Sequence, residues 1–197
     1  MFKGLCGPSS NWSFSQHIFL LLQNELPGFP CPELPFHVDG SACALNWVPT
    51  SLEASPMLEG LPSFNDSIYL LNTVKFHTSQ ILFLVDEDTF IPDLHEFYKK
   101  GIEKAKSAQL WFIQYLLVIT LEKAFLAPSK APGVLSGSTF FERAMSTMPD
   151  FTALHQIPNL GMQVSCLISL YLMSVDMKDS AYAYVCPLNE NMSLIKV

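Results

Sequence analysis

The sequence predicts an all-α protein, an irregular helical array preceded by a long proline-rich N-terminal arm. Three observations carry this prediction. Apolar residues recur at helical spacing from Ser63 onward. Helix-start residues stand ahead of several of those stripes. Two apolar runs, residues 110–119 and 164–175, are too long for ordinary strands. Eight of the 14 prolines lie in residues 1–62. We therefore expect an irregular arm over 1–62, a helical domain over 63–185 and a disordered tail over 186–197, the whole reading as an incomplete domain.

Within the arm, turn signals such as Gly7-Pro8, Leu26-Pro27-Gly28 and Asp39-Gly40 recur, and one short helix is expected near residues 13–24, capped by Ser13 or Ser15. Ser63-x-x-Asp66 resembles a capping box, after which Ile68, Leu71, Val74 and Ile81 share one helical face. Ile81-Leu82-Phe83-Leu84-Val85 reads as a strand or buried coil, ended by Asp86-Glu87-Asp88. Asp88 is expected to cap the next helix, with Pro92 in its first turn. Phe90, Leu94, Phe97 and Tyr98 form its apolar stripe. Lys99 and Lys100 suit its last turn, and Gly101 its stop.

A single long helix is expected over 102–127, polar in its first half and apolar all round in its second, and so central and buried. Residues 128–137 form a Pro-, Gly- and Ser-containing loop. Thr139-x-x-Glu142 reads as a second capping box, opening a helix that carries Phe140, Phe141, Ala144, Met145 and Met148. A short turn over 151–155 is broken by Pro158. Asn159 then caps a helix with Val164, Leu167, Ile168, Leu170, Tyr171 and Leu172, and Asp179 starts a last helix that Pro187 ends.

Composition excludes several classes. Hydrophobic residues make up 49% of the 197, which is enough for a sizeable core and argues against disorder throughout. The net charge is −7 and Arg143 is the only arginine, so direct nucleic-acid binding is not expected. Cys6, Cys31, Cys43, Cys166 and Cys186 are odd in number and contain no C-x-x-C pair, which reads as reduced thiols in an intracellular protein. The first apolar run, around Ile18 to Leu22, is too short and too late for a signal peptide. The sequons at Asn11, Asn65 and Asn191 are accordingly taken as accidental.

Little chemistry is visible. Cys31, His37 and Cys43 form the nearest metal-like cluster, but their spacing matches no common zinc pattern. Ser136, in Gly133-Val134-Leu135-Ser136-Gly137, sits one place late for a hydrolase elbow, and no strand precedes it. His77, His95 and His155 have no carboxylate or cysteine at ligand spacing; His95 belongs on the polar side of its helix. Asp86, Glu87 and Asp88 read as capping acids with a solvated neighbour. No catalytic, cofactor-binding or metal-binding residue is assigned, and the chain is expected not to be an enzyme.

Several segments resemble, in order, the fungal-specific transcription factor domain, the regulatory middle region of fungal binuclear zinc-cluster regulators that includes the xylanolytic activator group. They are Asn72-Thr73-Val74-Lys75-Phe76-His77, Leu84-Val85-Asp86-Glu87-Asp88-Thr89-Phe90 and Leu94-His95-Glu96-Phe97-Tyr98. Trp111-Phe112-Ile113-Gln114 resembles the family's buried helix, and Thr139-Phe140-Phe141-Glu142-Arg143-Ala144 its F-F-x-x-A helix. The stretch from Gln163 to Met173 resembles its L-Q-x-L-x-L-x-x-Y-L helix. Ser180-Ala181-Tyr182-Ala183-Tyr184-Val185 is similar to its A-W-x-Y segment. Gly7-Pro8-Ser9-Ser10-Asn11-Trp12-Ser13-Phe14 is similar to a stretch that precedes the domain. The likeness spans about residues 5–185.

The resemblance implies a nuclear regulator of RNA polymerase II transcription. It implies DNA and zinc binding only for a six-cysteine module that this sequence does not contain. The partners it implies are proteins of the transcription machinery or a small-molecule effector, with no membrane. The missing module and the stop after Cys186-Pro187 are read as a truncated copy. Uncovered apolar helices in such a copy would favour self-association. The competing reading is a membrane-associated helical protein, motivated by the low charge and by the apolar runs Trp111–Leu121 and Val164–Val175; both fall short of the roughly 20 apolar residues that a span needs.

Overall fold

A computed structural model describes residues 58–78, 84–126, 135–149 and 157–192, with side chains to 185, and the shorter stretches 18, 21–22, 24–26, 45–48 and 154. The chain divides into two compact units, Met1–Val38 and Asp39–Val197. In the first, Ile18, Leu21, Leu22, Asn24 and Glu25 are helical, in agreement with the short helix expected there. Its capping serines lie outside the described residues.

The second unit is all-α. Seven helices are described: α1 (Phe64–Thr78), α2 (Glu87–Lys100), α3 (Ile102–Ser107), α4 (Gln109–Leu126), α5 (Ser138–Ser146), α6 (Pro158–Ser174) and α7 (Lys178–Met192). No strand occurs among the described residues. Leu84 and Val85 are buried without regular structure, which resolves the strand-or-coil choice for that end of the run; residues 81–83 lie outside the description.

α4 is the axis of the unit. Its residues 110–121 are all buried, as a helix apolar on every side requires. It packs against α1, α5 and α6, and α6 in turn carries α7. Each fully buried Leu or Ile here contributes about 1.5–3 kcal/mol relative to exposure. Three buried polar residues on α4 and α6 bond locally or across helices. Thr120 returns its hydroxyl to Leu116 O (2.9 Å), and Gln114 Nε2 donates to Gln163 Oε1 (2.6 Å) between α4 and α6. Ser169 bonds both Ser165 O and Ala181 O, tying α6 to α7.

The helix ends show what the local sequence does and does not dictate. The Ser63–Asp66 capping box forms in both directions, with Asp66 N donating to Ser63 Oγ (3.3 Å) and Ser63 N to Asp66 Oδ2 (3.4 Å). Gly101 ends α2, its N–H reaching Phe97 O at 2.7 Å. The cap of α2 is Asp86 and not Asp88, since the Asp86 carboxylate accepts from Asp88 N. With Asp86 as cap, Pro92 stands in the second turn, where its missing N–H leaves the carbonyl of Asp88 without an intrahelical donor.

Four other expectations are corrected. The single helix over 102–127 is two helices, interrupted at Ala108 (φ −121°, ψ 54°); no breaker residue marks the place. Thr139-x-x-Glu142 is not a capping box: Gly137 in the left-handed region precedes α5, and Glu142 is engaged elsewhere. The cap of α6 is Ile157, with Pro158 as the first helical residue and Asn159 already inside. Pro187 does not end α7, which runs to Met192 and so occupies the first residues of the expected 186–197 tail. Leu154, in the turn expected before Pro158, is helical and buried.

The link from α6 to α7 is a motif that the sequence reading passed over. Met177 N bonds Leu172 O (2.8 Å) and Asp176 N bonds Met173 O (3.2 Å), while Asp176 takes φ 62°. This is a Schellman closure with aspartate in the position that glycine usually fills.

Candidate functional site

Two polar constellations hold α1, α2, α3 and α4 together. In the first, three hydroxyls meet where α1, α2 and α4 converge. Ser67 Oγ lies 2.6 Å from Tyr115 Oη and 3.0 Å from Tyr98 Oη, and the two tyrosine oxygens are 3.0 Å apart. Ser67 also donates to Ser63 O (2.9 Å), and Tyr98 donates to Pro62 O. Every donor therefore has an acceptor. Burial pushes the Tyr115 phenol far above its ordinary range, so it remains neutral. Such a group can hold three helices in register.

The second constellation is ionic. Lys104 on α3 reaches back to Asp93 (2.7 Å) and Glu96 (2.6 Å) on α2, and Lys100 joins Glu96 at 2.6 Å. Bonds from Lys100 and Lys104 hold Glu96 at about 2. Desolvation opposes the charge of Lys104, yet its bonds to Asp93 and Glu96 outweigh it and raise the ammonium above its usual value. The pairing explains why the first half of the expected long helix is polar: it faces α2 across Gly101.

The residues singled out in the sequence do not converge. Ser136 donates its hydroxyl to Lys123 O (2.9 Å) and receives Tyr171 Oη on its carbonyl (3.1 Å), so it closes the loop against α4 and α6. His95 is exposed and lies over Phe64 at 4.3 Å. His77 lies between Phe76 (5.4 Å) and Phe125 (5.1 Å). Asp86 caps α2, Glu87 pairs with Lys75, and Asp88 sits in the first turn. Cys31, His37, Cys43 and His155 lie outside the described residues. No group of three or more His, Cys, Asp or Glu able to hold a metal occurs among the described residues. Cys166 is free and half-buried, and burial pushes its thiol up. α4 is the one helix among the described residues long and apolar enough to cross a membrane, and two thirds of it is buried inside this body.

The sequence reading missed the surface of α5. Residues 46, 47 and 59 of the expected arm, which belong to the second unit, contact it. Trp47 meets Phe141 edge-to-face at 5.9 Å, and Asn46 N donates to Glu142 Oε1 at 3.2 Å. Arg143 Nη1 donates to Glu59 O at 2.9 Å while its guanidinium covers Phe140 at 5.3 Å. Leu45, Leu58 and Leu61 pack against the core. The compact body thus begins well before Ser63, in accordance with the division at Val38. The apolar residues between the prolines of the arm were the available signal.

No protein-family model matches this chain, and no curated protein or solved structure matches it. The described residues of the second unit form an all-α body organised around one buried helix.

Proposed function

We propose that the chain is a non-catalytic regulatory body of the fungal zinc-cluster transcription factor type, acting in the nucleus through protein contacts or a small-molecule effector. DNA reading and zinc binding belong, on this reading, to a separate module. The observation that carries it is the ordered set of segments from Asn72 to Val185 that resemble that family's regulatory domain. The all-α architecture is in keeping with it, and so is the charge of −7 with a single arginine, which suits a body that leaves the DNA phosphates to another module.

The test is a tethering experiment. The full chain is fused to an unrelated DNA-binding domain and placed upstream of a fungal reporter gene. A reproducible change in reporter output, lost when the core is disrupted by Leu116→Asp, is the expected result. Unchanged output from a folded fusion, or stoichiometric zinc and salt-resistant DNA retention by the purified chain, overturns the assignment. Carbonate-resistant sedimentation with membranes would favour the competing membrane reading, whose specific support is the length and hydropathy of α4.

A further inference from the structure

We infer that the outer face of α1 is a self-association surface, on which a second copy of this chain lays its own α1 antiparallel, Tyr69 of each copy against Phe76 of the other. The inference does not depend on the regulatory reading.

α1 carries apolar side chains on two opposite sides. Its buried stripe is Ser67, Leu71, Val74 and Thr78, which faces the core. At about 100° per residue, Tyr69 and Phe76 stand on the opposite side, two turns apart on one line. Tyr69 is 63% exposed and Phe76 76% exposed. A surface helix ordinarily keeps that side polar. Between the two rings the helix presents Asn72 and Thr73, and Lys75 is turned away to Glu87. The centre of the face is therefore uncharged, which two copies of a chain of net charge −7 require if they are to meet there.

The ends of the face select the second copy as the occupant. Asp66 lies in the first turn and His77 in the last, and both are exposed on the same flank of the aromatic line. An antiparallel pair centred between Asn72 and Thr73 brings each Tyr69 to the partner's Phe76. It also brings each Asp66 to the partner's His77, an acceptor to a ring N–H. Such a face is complementary to itself, as a two-fold contact demands. Both polar groups are placed in advance. The capping box engages Asp66 through Oδ2, and His77 rests on Phe125 at 5.1 Å.

The test is light scattering of the full chain on gel filtration, from micromolar to submillimolar concentration, with helical circular dichroism as the folding control. The wild-type mass is expected to rise toward that of a dimer and to stop there, since a two-fold contact closes on itself. Tyr69→Glu and Phe76→Glu should fold and remain monomeric. His77→Glu, which sets an acid against Asp66 of the other copy, should weaken association about tenfold, and adding Asp66→Lys should restore it. A wild-type monomer at every concentration, growth beyond the dimer, or a dimer that Phe76→Glu leaves intact overturns the proposal. Failure of Asp66→Lys to rescue a folded His77→Glu chain overturns the antiparallel pairing.

Discussion

A methyl group built on Gly137 would lie 2.5 Å from the carbonyl oxygen of Thr120. That contact is with backbone, which cannot swing aside as a side chain end could. Gly137 also has φ +81°, a conformation that L side chains rarely adopt. The turn into α5 therefore touches α4 at a point where only glycine fits, next to the Ser136 and Tyr171 bonds that close the same loop.

Gly137→Ala is accordingly expected to destabilise the chain by about 2–4 kcal/mol, the sum of left-handed strain and a backbone clash. Gly60 supplies the control. It has φ +72° but open space around its Cβ position, so Gly60→Ala should cost only about 1–2 kcal/mol. Urea unfolding of the two variants beside wild type checks both values. Equal losses would mean that the approach to Thr120 relaxes at no cost.

Asp86→Ala and Asp88→Ala separate the cap that forms from the one that the sequence suggested. Asp86 accepts from Asp88 N at 3.2 Å and from Thr89 Oγ1 at 3.2 Å. Its loss should cost roughly 1 kcal/mol, in low and high salt alike. Asp88 makes only the favourable interaction of an acid in the first turn, about 0.3 kcal/mol at low salt. That smaller effect should fade at about 1 M salt, where screening is strong. Unfolding of each variant at two salt concentrations is the measurement, and a reversed order would restore Asp88 as the cap.

The caps show why the fold was legible only in part. Periodicity located α1, α2, α4, α5 and α6, because burial of Leu71, Leu94, Leu116, Phe141 and Leu167 enforces the same spacing that the sequence displays. Exact ends were less legible. Three acids stand in a row at the start of α2, and both Asp86 and Asp88 satisfy a local capping rule; the cap that forms is Asp86, while Glu87 pairs with Lys75 on α1. The break at Ala108 is likewise tertiary, since Lys104 must turn toward Asp93 and Glu96 while Leu110 enters the core. Pro187 was read as a stop on propensity alone, and α7 passes through it. The packing of residues 46, 47 and 59 on α5 was hard to read because the bonds at Asn46 N and Glu59 O use backbone atoms, which leave no mark in side-chain patterning.

The hydroxyl triad offers the remaining test, and it is a matter of donors and of pH. Tyr115→Phe removes one hydroxyl, yet Ser67 keeps Ser63 O as its acceptor and Tyr98 keeps Pro62 O. No donor is stranded, so the loss should be about 1 kcal/mol at neutral pH. The pH dependence runs the other way. Burial raises the Tyr115 phenol in the folded chain above the value of about 10 for an exposed tyrosine. Below that pH both states hold the proton and nothing changes. Above it the unfolded chain releases the proton and the folded chain does not, so stability falls as pH rises. Tyr115→Phe lacks this proton and should lose less stability than wild type between about pH 9.5 and 11. Urea midpoints across that range should thus bring the two chains together, and parallel curves would place the Tyr115 hydroxyl in contact with solvent.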